Sequence, residues 1–98
     1  MRDITDIAIR LRDKIPTNIS DYSVLTSDLN RLIGDCTYRS PELIISDGYW
    51  NRLQNILLQY QDKYWNQMWY CEVMSIFTTR SYDEIVVMLR SDHESKSD

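Results

Sequence analysis

Eight of the eleven aromatic side chains of this chain fall between Tyr49 and Phe77, and all three tryptophans are among them. Tyr49, Leu53, Ile56, Leu57, Tyr60 and Tyr64 recur at three- and four-residue spacing, and the stripe continues through Met68, Cys71 and Met74. A second stripe starts at Trp65 and runs through Trp69, Val73 and Ile76. At about 100° per residue the two stripes lie roughly opposite each other. A helix that is apolar on nearly every side is either the centre of a core or a helix whose extra face meets another chain. This window therefore predicts a central helix at about 49–77, part of which is core and part a candidate docking surface.

The rest of the chain supplies helices to surround it. Ile4, Ile7, Ala8, Leu11 and Ile15 make one stripe, with Asp3 and Asp6 toward the positive end of the helix dipole and Arg12 and Lys14 toward the negative end. This predicts a helix over 3–15, stopped by Pro16. Tyr22, Leu25, Leu29, Leu32, Ile33 and Cys36 predict a second helix over 21–36, with Ser20 or Asp21 as N-cap and Gly34 marking its end. Ser40-Pro41-Glu42 reads as a helix start, and Leu43, Ile44 and Ile45 as a short helical turn or a short strand. Ser81-Tyr82-Asp83-Glu84 fits a capping box opening a last helix over 82–90. The β-branched run Ile85-Val86-Val87 leaves a hairpin with Val73–Thr78 as the alternative. Residues 91–98 read as a polar, disordered tail. Only two glycines and two prolines punctuate the chain, too few for the many turns of an all-β fold. The expectation is an all-α fold, a single domain at 1–90 with four to five helices packed around the aromatic helix.

Several function classes lose support on composition. The formal net charge is −4, with eleven aspartates against four glutamates, and no basic stripe is present. Such a chain is repelled by nucleic-acid backbones, so no direct polynucleotide binding is expected, and it is attracted to basic protein surfaces. The N-terminal run is broken by charge every few residues and nowhere approaches a membrane span, so no membrane association and a cytoplasmic location are expected. Cys36 and Cys71 read as buried, reduced thiols. Two cysteines and one histidine do not make a four-ligand zinc site, so no metal or other cofactor is expected. His93, the only histidine, lies in the polar tail with nothing to orient it, which argues against enzymatic catalysis.

A small, acidic, aromatic-rich chain without catalytic motifs points to protein binding. Trp, Tyr and Arg most often carry interface energy, and carboxylates can mimic phosphates or pair with Lys and Arg on a target. The candidate partner-binding residues are Trp50, Arg52, Trp65, Trp69 and Tyr70 as anchors, with Asp47, Asp62, Glu72 and Asp83 as the acidic contribution. The leading expectation is a stoichiometric inhibitor capping a basic surface, an immunity protein (antitoxin) that neutralises a bacterial nuclease toxin. The first alternative is a phage-encoded, anti-CRISPR-like inhibitor of a host defence complex. The second is a homo-oligomeric helical module, a homodimer for instance, in which Trp65, Trp69, Val73 and Ile76 pack on a symmetry mate and a small nucleotide binds between subunits.

Overall fold

The computed structural model describes residues 3–37 and 48–96. The reading of residues 38–47, including the helix start at Ser40, lies outside them. Among the described residues all regular structure is helical, in six segments: α1 Ile4–Asp13, α2 Tyr22–Thr37, α3 Tyr49–Leu58, α4 Gln61–Tyr64, α5 Met68–Thr78 and α6 Tyr82–Lys96. Both arms of the alternative hairpin, 73–78 and 85–89, are helix.

α1 forms where its stripe and its cap agree. The Asp3 carboxylate accepts from the Thr5 and Asp6 amides at 3.0 and 3.4 Å, satisfying two of the donors that a helix start leaves open. Ahead of Pro16 the last turn tightens, with Lys14 N–H donating to the Leu11 carbonyl and Ile15 N–H to that of Arg12. Ile4, Ile7, Ala8, Leu11 and Ile15 are all buried. α1 packs against α2, α3 and α5, which places Ala8 and Leu11 at the middle of the core with no exposure.

α2 buries Leu25, Leu29, Leu32 and Cys36 and packs against α1 and α3. It runs through Gly34 rather than stopping there. Gly34 is exposed, a Cβ at that position would meet nothing within 4 Å, and the helix continues to Thr37, whose hydroxyl donates back to the Ile33 carbonyl. A single glycine costs a helix about 1 kcal/mol, and continuing through it keeps Cys36, two residues further on, in the core.

The aspartates of α2 face α3 and α4 as a ladder. Asp21, Asp28 and Asp35 are seven residues apart and so share one stripe. Asp35 meets Arg52 of α3 at 3.1 Å. Asp21 accepts from Lys63 Nζ at 2.8 Å and from the Tyr64 hydroxyl at 2.7 Å on α4. Those two bonds hold the Asp21 carboxyl below its ordinary pKa, and the same carboxylate raises that of Lys63. These contacts, toward opposite ends of α2, accompany its antiparallel packing.

The aromatic window is delivered as three consecutive helical segments rather than one straight rod. The helix stops at Gln59 and Tyr60, where Tyr60 adopts φ −108° and ψ 0°, and again at Gln67, which is extended at φ −89° and ψ 137°. No glycine or proline causes either break. Packing does. One straight helix cannot press two opposite apolar stripes onto the same α1–α2 layer, and two bends bring the second half back against α1. Tyr70 secures the turn. Its hydroxyl, on a side chain 1% exposed, donates at 2.7 Å to the Leu57 carbonyl in the last turn of α3.

α5 ends on Thr79 in the left-handed region, φ 60°. α6 then begins as the capping box predicts, with Ser81 Oγ accepting from the Glu84 amide at 3.2 Å. It buries Ile85 and Leu89 against α5. Residues 91–96, read from sequence as the start of a disordered tail, are helical, because three side chains there reach back to α4 and the residue after it. Asp92 accepts from Gln61, Lys96 pairs with Asp62 at 3.1 Å, and the His93 ring stacks on Trp65 with centroids 4.2 Å apart.

Candidate functional site

The corner between α4 and α5 gathers four of the nine nominated residues. Asp62 lies in α4, Trp65 in the turn after it, and Trp69 and Glu72 on α5. Between the two tryptophans in sequence is Met68, at the first position of α5. It belongs to the stripe expected to be buried, yet it is 67% exposed. Trp65 and Trp69 are half-buried, each packed on the core along one edge. Trp69 lies 5.0 Å from the Tyr64 ring and meets Tyr70 edge-on at 5.7 Å, while Trp65 carries His93 on its face. One helical turn beyond Met68, and on the same face, comes Glu72.

The two carboxylates of the corner are held loosely. Asp62 pairs with Lys96 with its side chain 78% exposed, and Glu72 reaches Lys14 at only 3.9 Å. Exposed pairs of this kind contribute about 0–1 kcal/mol, so either carboxylate can exchange its own lysine for a cation on another molecule at little cost.

The other nominated residues lie elsewhere. Tyr70 is a core residue and presents no docking surface. Burial of its phenol pushes the pKa well above the ordinary tyrosine range, so the hydroxyl remains a donor. Trp50 stacks on Phe77, centroids 4.6 Å apart, and is partly buried in the same core. Arg52 pairs with Asp35 at 3.1 Å and lies over the Tyr49 ring at 4.7 Å. Asp83 is exposed in the first turn of α6, away from the α4–α5 corner in sequence and element. Asp47 lies outside the described residues. Of the oligomer stripe, Val73 is 1% exposed, and Trp65, Trp69 and Ile76 are partly buried against the core.

Sequence reasoning missed Met68, and a signal for it existed. Asn66 and Gln67 are consecutive polar residues inside an otherwise apolar run, and a break there resets the helical phase. It also missed the anchoring of His93, because the indole that orients it comes from 28 positions earlier in the chain.

The chemistry that the described residues can support is limited. Cys36 and Cys71 are free and buried, and burial pushes both thiols up, away from the nucleophilic thiolate. The Cys71 thiol points at the Trp65 carbonyl. Among the described residues no group of three or more His, Cys, Asp or Glu could hold a metal ion, and no helix is long and apolar enough to cross a membrane. An open groove between α1 and the end of α5 is lined by Asp3, Asp6, Arg10 and Arg80, whose charges balance and give it no preference for either sign. Comparison with known protein families, with curated proteins and with solved structures found no match.

Proposed function

We propose that this chain is a stoichiometric protein-binding inhibitor that caps a basic surface of another protein, in its leading form an immunity protein against a nuclease toxin. The observation that carries this reading is Met68, 67% exposed between two half-buried tryptophans. A large, flexible apolar side chain flanked in sequence by two half-buried tryptophans has the composition of an interface centre, and water is a poor neighbour for it. Asp62 and Glu72, in exchangeable surface pairs, supply the acidic contribution beside it, and the net charge of −4 steers the chain toward a basic partner. Closing a target over Met68 would bury most of its side chain, contributing about 1–2 kcal/mol and so about five- to thirtyfold in affinity.

The test is capture from the source cells with tagged wild-type chain beside a Met68→Asp variant, followed by a nuclease assay on what is retained. Met68 is exposed, so the variant keeps the fold. The reading expects one basic protein in a one-to-one ratio, its nuclease activity blocked by wild type and recovered with Met68→Asp. A wild-type chain that retains the same proteins as the variant, or whose retained protein stays fully active, overturns it.

A further inference from the structure

The inward stripe of α6 changes character toward its C-terminal end. Ile85 and Leu89 are buried against α5, and the next residues on the same half of the helix are Asp92, His93 and Lys96. Ser91, Glu94 and Ser95 fall on the outward half, within about 80° of the exposed Val87, and Glu94 has an interaction of its own there. None of residues 91–96 is buried. What the inward side chains reach is the α4–α5 corner. Lys96 Nζ lies 3.1 Å from the Asp62 carboxylate, the His93 ring stacks on Trp65 at 4.2 Å and 17°, and Gln61 donates to Asp92 at 3.4 Å.

We propose that residues 91–96 are an autoinhibitory strap, which a basic target must displace from Asp62 and Trp65 in order to dock. The inference rests on the reading of the α4–α5 corner as the docking surface. The strap brings to that corner the chemistry expected of the target: a cation on Asp62 and a planar ring on the face of Trp65. One carboxylate and one indole face cannot serve both occupants, so strap and target compete. The strap is built to yield. Its ion pair has side chains 61% and 78% exposed, and a pair of that kind shifts an equilibrium by at most about fivefold. The target's apparent affinity is then the intrinsic affinity reduced by the fraction of chains with the strap open. Met68, which no strap residue is seen to touch, stays available for first contact.

The test uses the full chain, comparing wild type with His93→Ala/Lys96→Gln, and Arg90→Gln as a control that loses the same single charge on the outward side of α6. Circular dichroism checks that each is folded, as substitutions at exposed positions allow. In the free proteins, amide exchange of residues 91–96 should quicken about tenfold in the double variant, while residues 82–89 keep their rates. Arginine amide, a planar cation, then serves as the probe, followed at the Trp65 indole N–H, which is assigned by its loss in Trp65→Phe. The double variant should bind it at least about threefold more tightly than wild type or Arg90→Gln. Exchange at 91–96 as in wild type, a wild type that binds arginine amide as tightly as the double variant, or no binding to the double variant up to about 100 mM each overturns the proposal. Neither readout uses a captured protein, so failure of the inhibitor reading appears in the Met68→Asp capture and failure of the strap appears here.

Discussion

Replacing Tyr70 by phenylalanine separates the two roles that its sequence position allows, core and anchor. The ring is 1% exposed, and its hydroxyl donates at 2.7 Å to the Leu57 carbonyl. That carbonyl also accepts from the Tyr60 amide at 3.2 Å. Removal of the hydroxyl therefore deletes one hydrogen bond but strands no buried acceptor. The loss is the net value of a single neutral bond, about 0.5–1.5 kcal/mol, without the larger penalty of an unsatisfied group. Since the ring and its edge contact with Trp69 remain, the cavity term stays small. In urea unfolding followed by far-UV circular dichroism, the midpoint should fall while the slope stays unchanged, because the same surface is exposed on unfolding. The thermal midpoint should drop by roughly 4–8 °C for each kcal/mol lost. Tyr70→Ala, which empties the site, should cost about 3–5 kcal/mol. An anchor residue would behave otherwise, losing affinity for a partner and leaving the free protein unchanged. A Phe variant within about 0.3 kcal/mol of wild type would refute the hydrogen bond as a stabilising feature. An Ala variant equally unaffected would refute the placement of Tyr70 in the core.

Three further perturbations test other parts of the structure. Gly34→Ala should raise stability by about 0.5–1 kcal/mol, since the site is helical and exposed with open space around a Cβ, and a lower urea midpoint would contradict a helix through that position. Thr79→Gly should also stabilise, by about 1 kcal/mol, because a β-branched residue at φ 60° is strained where glycine is not, and thermal unfolding reads the gain. Asp21 is held below its ordinary pKa of 3.8 by Lys63 and Tyr64, so the stability it contributes is present above that value and is lost as pH falls through the lowered one. Asp21→Asn should therefore be less stable than wild type at neutral pH, with the gap closing in acid, and a gap that widens in acid would contradict the pair.

Much of the fold is legible in the sequence because local signals and tertiary packing agree there. Ser81 caps the helix it was expected to cap, Asp3 stands at the N-terminal end of α1 where it was placed, and the stripes of α1 and α2 are the buried faces. The aromatic window is where they part. Stripe analysis assumes one straight helix, and each bend resets the phase. Met68, in line with the buried stripe of a straight rod, ends on the surface, and Tyr70, out of line with it, ends in the core. Nothing local marks the break at Gln59 and Tyr60, because its cause is the layer of α1 and α2 beneath. The helical state of residues 91–96 escapes composition for a similar reason, since its support is the contact of His93 with Trp65 and of Lys96 with Asp62, more than 25 positions away. Among the candidate site residues, the sequence locates the α4–α5 corner through Trp65 and Trp69 but does not distinguish them from Trp50 and Tyr70, whose burial is a property of the packed structure.

The central claim is that the α4–α5 corner is the docking surface, and amide hydrogen exchange on the captured complex tests it most directly. The account predicts that slowed exchange on binding concentrates over residues 62–72, around Trp65, Met68 and Trp69, while the α1 amides keep their rates in the free protein. Protection confined to other elements, with 62–72 exchanging as in the free chain, would contradict it.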